Sequence, residues 1–126
     1  MKENIVTFQV AKLAKEKGFN WKVINYFKLS TISNPLIEDE CRPQNINSLQ
    51  SNSIFSRPTQ SLLAKWLREE HHLIVTVAYQ YEYDSTPYSY WIYKENNSSP
   101  LNQWVNDLNS YEEALEFGLQ EALKLI

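Results

Sequence analysis

At 126 residues, with 43% hydrophobic and 21% charged content, the chain has the size and balance of a single globular domain, residues 1–126. Two glycines, with neither GxGxxG nor GxxxxGK(S/T) present, set aside the nucleotide enzymes whose phosphate loops need such backbone freedom. A net charge of −3 disfavours nucleic acid as a partner, and a lone Cys41 without any Cys/His cluster at zinc spacing leaves disulfides, metals and cofactors unexpected.

The first predicted element is a helix with Thr7 as N-cap and Gly18 just past its end. Its apolar stripe (Val10, Leu13, Ala14, with Phe8) is thin, so this helix should lie on the body of the fold. Residues 19–29 then alternate, with Phe19, Trp21 and Val23 against Asn20, Lys22 and Ile24, as a strand does. Residues 31–56 are rich in Ser, Asn, Gln and Pro. Short strands are expected near 36–41 and 54–55, with a mobile tip around 44–52, because a long structureless loop is uncommon in a compact domain.

A second helix is predicted from Pro58 and Thr59 to about His71, with Leu62, Leu63, Trp66 and Leu67 on one face. Strands over 73–83 and 88–94 follow, joined by a turn at Asp84–Pro87 that implies an antiparallel hairpin. In the first of them Leu73, Val75, Val77, Tyr79, Tyr81 and Tyr83 share a face, and its Val end is the core side. Residues 101–108 predict another strand or a turn of helix. The last helix opens on Ser110 and Glu113, the S-x-x-E capping box. Leu115, Leu119, Leu123 and Ile126 form its stripe, and Ala114, Gly118 and Ala122 form a row of small residues for close approach to a sheet. The fold expected is α+β: one antiparallel sheet of three to five strands with three helices mainly on one face.

Six of the eight tyrosines lie between Tyr79 and Tyr93, and they dominate the functional reading. Tyr and Trp are favoured strand residues in any core. On an open sheet they also serve as protein-interface anchors or as stacking platforms for single-stranded nucleic acid. Acidic Glu82 and Asp84 between the rings would repel phosphates, so a protein partner is the leading expectation, through Tyr81, Tyr83, Tyr88, Tyr90 and Trp91. The nucleic-acid alternative would use the same rings with Lys12, Lys15, Lys22 or Lys28 on phosphates. A third reading is a small hydrolase-like enzyme pairing His71 or His72 with Glu69 or Glu70, against which a His at a helix C-terminus also interacts well with the dipole. The acidic run Glu38–Asp39–Glu40 reads as a solvated loop, and Cys41 has no general base nearby in sequence. No catalytic residue is expected.

Three blocks carry a family resemblance: residues 11–19 (AKLAKEKGF), 58–71 (PTQSLLAKWLREEH) and 111–126 (YEEALEFGLQEALKLI). Together they resemble a group of small uncharacterised proteins encoded by bacterial prophages and mobile elements. The match covers under half of the chain, and residues 31–56 fit it least. The resemblance implies a cytoplasmic bacterial or phage accessory protein, with no activity to carry over. A cytoplasmic setting is also the expectation from the single cysteine, from a start (Met-Lys-Glu-Asn) not followed by an apolar run, and from the lack of a membrane-length apolar run of ~20 residues.

Overall fold

A computed structural model of the chain describes residues 4–29, 36–49, 53–79 and 87–126, apart from the side chains at 36–37 and 104–107. The elements run α1 (Phe8–Glu16), β1 (Val23–Leu29), β2 (Leu36–Gln44), β3 (Ile54–Ser56), α2 (Gln60–His71), β4 (Leu73–Tyr79), β5 (Tyr88–Lys94), β6 (Pro100–Leu108) and α3 (Tyr111–Lys124). Helices and antiparallel strands make the chain α+β. The strands fall into two three-stranded sheets, ordered β2-β1-β3 and β4-β5-β6, where the sequence pattern predicted one. Strands close in sequence pair with each other, and α2 interrupts the run between β3 and β4. The chain correspondingly divides into two compact units, Met1–Thr59 and Gln60–Ile126.

In the first unit, α1 opens on the Thr7 hydroxyl, which accepts from the Val10 amide at 3.4 Å. Its end is a Schellman motif: Gly18 N donates to Lys15 O and Phe19 N to Ala14 O, with Gly18 at φ 94°. That closure takes Phe19 into the helix cap and buries it, so β1 begins at Val23 rather than at residue 19. β1 is the central strand, flanked antiparallel by β2 and β3. Its inward residues Val23 and Phe27 are buried, and the Phe8 ring of α1 stands edge-on against both Phe27 and Phe55.

The stretch expected to be a mobile tip contains a 3-10 turn, Ile46–Leu49, with Ile46 buried. Asn47 anchors it. Its amide nitrogen donates to Phe19 O at 2.9 Å, its Oδ1 accepts from Ser56 N at 2.8 Å, and its own N–H reaches Ser56 Oγ at 3.1 Å. One side chain thus satisfies backbone groups of two separate segments, which a polar sequence pattern does not reveal.

The second unit is an antiparallel meander with helices on one side. β4 pairs with β5 in unbroken register from Leu73↔Lys94 to Tyr79↔Tyr88, and β5 pairs with β6 through two register shifts. α3 contacts all three strands, while α2 contacts α3 and β4. Of the predicted helix faces, Leu63, Trp66 and Leu67 of α2 are buried and Leu62 only partly so, while Leu115, Leu119 and Leu123 with Ala114 and Ala122 of α3 are buried. Ile126 lies outside that stripe and is partly exposed. Gln60, itself buried, ties the two helices by donating to Glu112 O and Glu116 Oε1. The cap of α3 differs in one detail from a capping box. Ser110 Oγ accepts from Glu113 N at 3.1 Å, but Glu113 Oε2 accepts from Asn109 N rather than from the Ser110 amide. No helix among the described residues is long and apolar enough to cross a membrane.

Candidate functional site

The second sheet divides the aromatic cluster between its two faces. Gly118 of α3 lies so close to β4 and β5 that a Cβ there would stand 2.6 Å from Val75 Cγ1 and 3.4 Å from Tyr90 Cβ. The side of Val75 and Tyr90 is therefore the helix side, in agreement with the expectation that the Val end of β4 faces the core. Alternation then places Tyr88, Tyr90 and Ile92 on that side, and Ser89, Trp91 and Tyr93 on the other.

Of the five residues expected to bind, Tyr90 is a correction. It is 4% exposed beneath α3, because the glycine row lets the helix close over it, and it belongs to the core. Tyr88 is half-buried on the helix side, its ring 5.2 Å from that of Tyr79, which is 60% exposed. Trp91 is half-buried on the open side. Tyr81 and Tyr83 lie outside the described residues. Around Trp91 the open side carries Ile74 and Tyr93, both half-buried, and the exposed Thr76 and Gln103. Leu101 near the strand's start is 50% exposed. Ser89, by contrast, is fully buried, so the accessible part of this face lies toward Trp91 and Tyr93. Tyr93, outside the five residues expected from the sequence, shares the side of Trp91, as its period-two spacing from Trp91 signals.

Burial of the Tyr90 phenol, with Glu121 nearby, holds its pKa above the ordinary tyrosine value. Below a pH of about 10 the hydroxyl is neutral in the folded and unfolded chains alike, and its contribution to stability is complete. As pH rises past that point the unfolded chain ionises first, so stability falls until the folded phenol ionises too. Tyr26, raised by desolvation and then by Asp39, acts in the same direction at the surface. Tyr90→Phe is therefore expected to flatten the loss of stability between about pH 9 and 11, read as urea midpoints against pH. An unchanged alkaline slope would contradict this.

The histidines pair otherwise than predicted. His72 Nδ1 lies 2.8 Å from Glu95 Oε2, both side chains about half exposed, while Glu69 and Glu70 are exposed on α2. The reason is register: Leu73 faces Lys94, so His72 faces Glu95 across the ladder, and Glu95 N also donates to His72 O at 2.8 Å. His71 sets its ring edge-on to Trp66 at 4.7 Å. Cys41 Sγ donates to Val23 O at 3.7 Å.

In the first unit a cleft of about 500 Å3 is lined by Ile5, Ile24, Asn25, Glu38, Asp39, Glu40, Arg57 and Thr59. The acidic run thus stands on a strand at a cleft, rather than in a loop, with all three side chains exposed. Arg57 reaches Glu38 at 3.5 Å and Val6 O at 3.2 Å, and Tyr26 donates to Asp39 Oδ2 at 3.3 Å. Among the described residues no group of three or more His, Cys, Asp or Glu is arranged to hold a metal ion. Of the four lysines considered for phosphate contact, Lys15 is engaged inside its own unit. Its Nζ donates to Ile54 O at 2.6 Å and sits over the Phe55 ring, where burial lowers its pKa.

Comparison with protein-family models, with curated proteins and with solved structures finds no match for the chain.

Proposed function

We propose that this chain is a non-enzymatic accessory protein of a prophage or mobile element, acting in the cytoplasm as a protein-interaction module. Its contact face is the side of the β4-β5-β6 sheet opposite α3, with Trp91 and Tyr93 as anchors and Ile74, Thr76 and Gln103 around them. The observation that carries this reading is the partition of aromatic residues: Tyr90 is spent on the core, whereas Trp91 and Tyr93 alternate to the side away from α3. Trp and Tyr beside the uncharged Ile74, Thr76 and Gln103, with the His72–Glu95 pair at the Tyr93 end, match an interface hot spot with a polar rim, whose aromatic centre is desolvated on docking. The phosphate-binding alternative has less support, since Lys15 is engaged with Ile54 and alternation puts Lys94 on the opposite side of β5 from Trp91.

The test is capture from host lysate with wild-type bait and with a Trp91→Ser/Tyr93→Ser bait, both checked for folding by circular dichroism. The expected result is a discrete protein retained by the wild type and lost from the double variant, but kept by Phe117→Ser, a change at an exposed aromatic on α3. Equal retention by all three baits would refute the reading. Filter retention of labelled single strands, abolished by the double variant, would transfer the face to nucleic acid.

A further inference from the structure

The outer edge of β4 is unpaired among the described residues, and the phase of the ladder decides which of its backbone groups point outward. In an antiparallel pair, opposite residues alternate between those that exchange hydrogen bonds and those that do not. His72 and Glu95 are opposite each other and joined by Glu95 N to His72 O, which marks a bonded pair. Ile74, Thr76 and Ala78 continue that phase and turn their N–H and C=O groups toward β5. Leu73, Val75, Val77 and Tyr79 therefore turn theirs outward. The close Tyr79–Tyr88 ring contact agrees, since side chains approach most closely in the non-bonded pairs. Among the described residues no strand lies beyond β4.

Sheets ordinarily guard such an edge with charge, proline, bulges or brevity. The other edge strands here do so. β2 carries Glu38, Asp39, Glu40, Arg42 and Pro43 with a register shift, and β3 is three residues long. β6 begins at Pro100, includes Asp107 and is irregular twice. β4, Leu-Ile-Val-Thr-Val-Ala-Tyr, has none of these devices and is regular throughout.

We infer that β4 pairs antiparallel with β4 of a second copy of this chain, about a two-fold axis at Thr76, joining two sheets into one of six strands. About that axis Val75 faces Val77 of the second copy, and Leu73 faces Tyr79 of the second copy. All four are residues whose backbone groups point outward, so every bonded pair falls in phase without a bulge. Thr76 meets its own copy in a non-bonded pair on the open face, where it is exposed. No charged side chain of β4 opposes another. A two-fold partner also consumes the unguarded edge on both copies and leaves only the guarded β6 edges outside, which closes the assembly instead of propagating it. The dimer rests on the outward backbone groups of the β4 edge and shares Thr76 with the Trp91 face; amide exchange along that edge tells the two readings apart.

The experiment is sedimentation equilibrium of the intact chain, of Thr76→Lys, of Thr76→Glu and of their mixture. Wild type is expected to reach twice the 14.9 kDa chain mass. Either charge variant, set directly against its own copy, should raise the dissociation constant about fivefold, and the mixture should restore the wild-type value or better. Amide exchange supplies an independent reading that needs no variant. Leu73, Val75, Val77 and Tyr79 should slow with protein concentration, while Ile74, Thr76 and Ala78 stay slow at every concentration. A wild-type monomer at the highest soluble concentration would overturn the proposal, and so would identical association of the charge variants and their mixture. Outer amides that slow only when an extended peptide of another protein is added would give the edge to a different occupant, and overturn it equally.

Discussion

Gly118→Val should destabilise the second unit by about 3 kcal/mol, at the upper end of what overpacking costs. A Cβ at this position already falls 2.6 Å from Val75 Cγ1, well inside van der Waals contact, before any γ-methyl is added. Val75 cannot readily yield. It is β-branched and stiff at χ1, and its strand is held in continuous register with β5. On the other flank the contact is with Tyr90 Cβ and Cγ at 3.4 Å, the base of a buried ring rather than a flexible tip. The helix must then rise from the sheet, loosening Leu115, Leu119 and Ala122 together. Gly118→Ala separates the two effects. It gains about 1 kcal/mol of helix propensity but meets the same first clash, so a net loss of about 1 kcal/mol is expected. Adding Val75→Ala to Gly118→Ala should restore more stability than the single changes sum to, with a coupling of about 1 kcal/mol. Urea unfolding of the four proteins measures this. A Gly118→Ala variant more stable than wild type by the whole propensity gain would show that the helix does not need the close approach.

Phe27→Ala should be the most damaging change in the first unit, costing about 3–5 kcal/mol, a large share of the total stability usual for a domain. The ring is 1% exposed on the central strand, edge-on to Phe8 at 5.6 Å and beneath the Arg57 guanidinium at 4.5 Å. Its removal opens a cavity between two strands and a helix, and strips Arg57 of its stacking face. Arg57 keeps its bond to Val6 O and its contact with Glu38, so the charge itself is not orphaned. Phe27→Leu, which retains most of the volume, should cost under about 1.5 kcal/mol. Ile24→Ala on the same strand is the control: its side chain is 52% exposed, and a loss within about 0.5 kcal/mol is expected. Equal effects at positions 24 and 27 would mean that the first sheet has no buried side.

Both predictions turn on features of unequal legibility. The small-residue row Ala114, Gly118 and Ala122 can be read directly from helical spacing, and so can the conclusion that this helix approaches something closely. That the close neighbour is Val75 and Tyr90 is a contact across more than twenty-five positions of chain, which spacing does not encode. The two ends of α1 were likewise readable from Thr7 and Gly18. The start of β1 was not, because the Schellman bond from Phe19 to Ala14 takes residues that alternate like a strand and uses them as a cap. Asn47 is the extreme case. In sequence it is one polar residue among many, and only its three bonds in the fold set it apart.

What the amino-acid sequence determined by itself is the set of elements whose causes are local: helices with caps and one apolar face, and a tyrosine-bearing strand pair with period-two alternation. Tertiary structure alone decided that the strands form two sheets, that His72 meets Glu95, and that Tyr90 is core while Trp91 lies on the side of the sheet opposite α3. Alternation distinguishes the two faces of a strand but is silent on which face will be covered. That choice is made by whatever packs alongside, and here it is made where α3 comes down on β4 and β5 at Gly118.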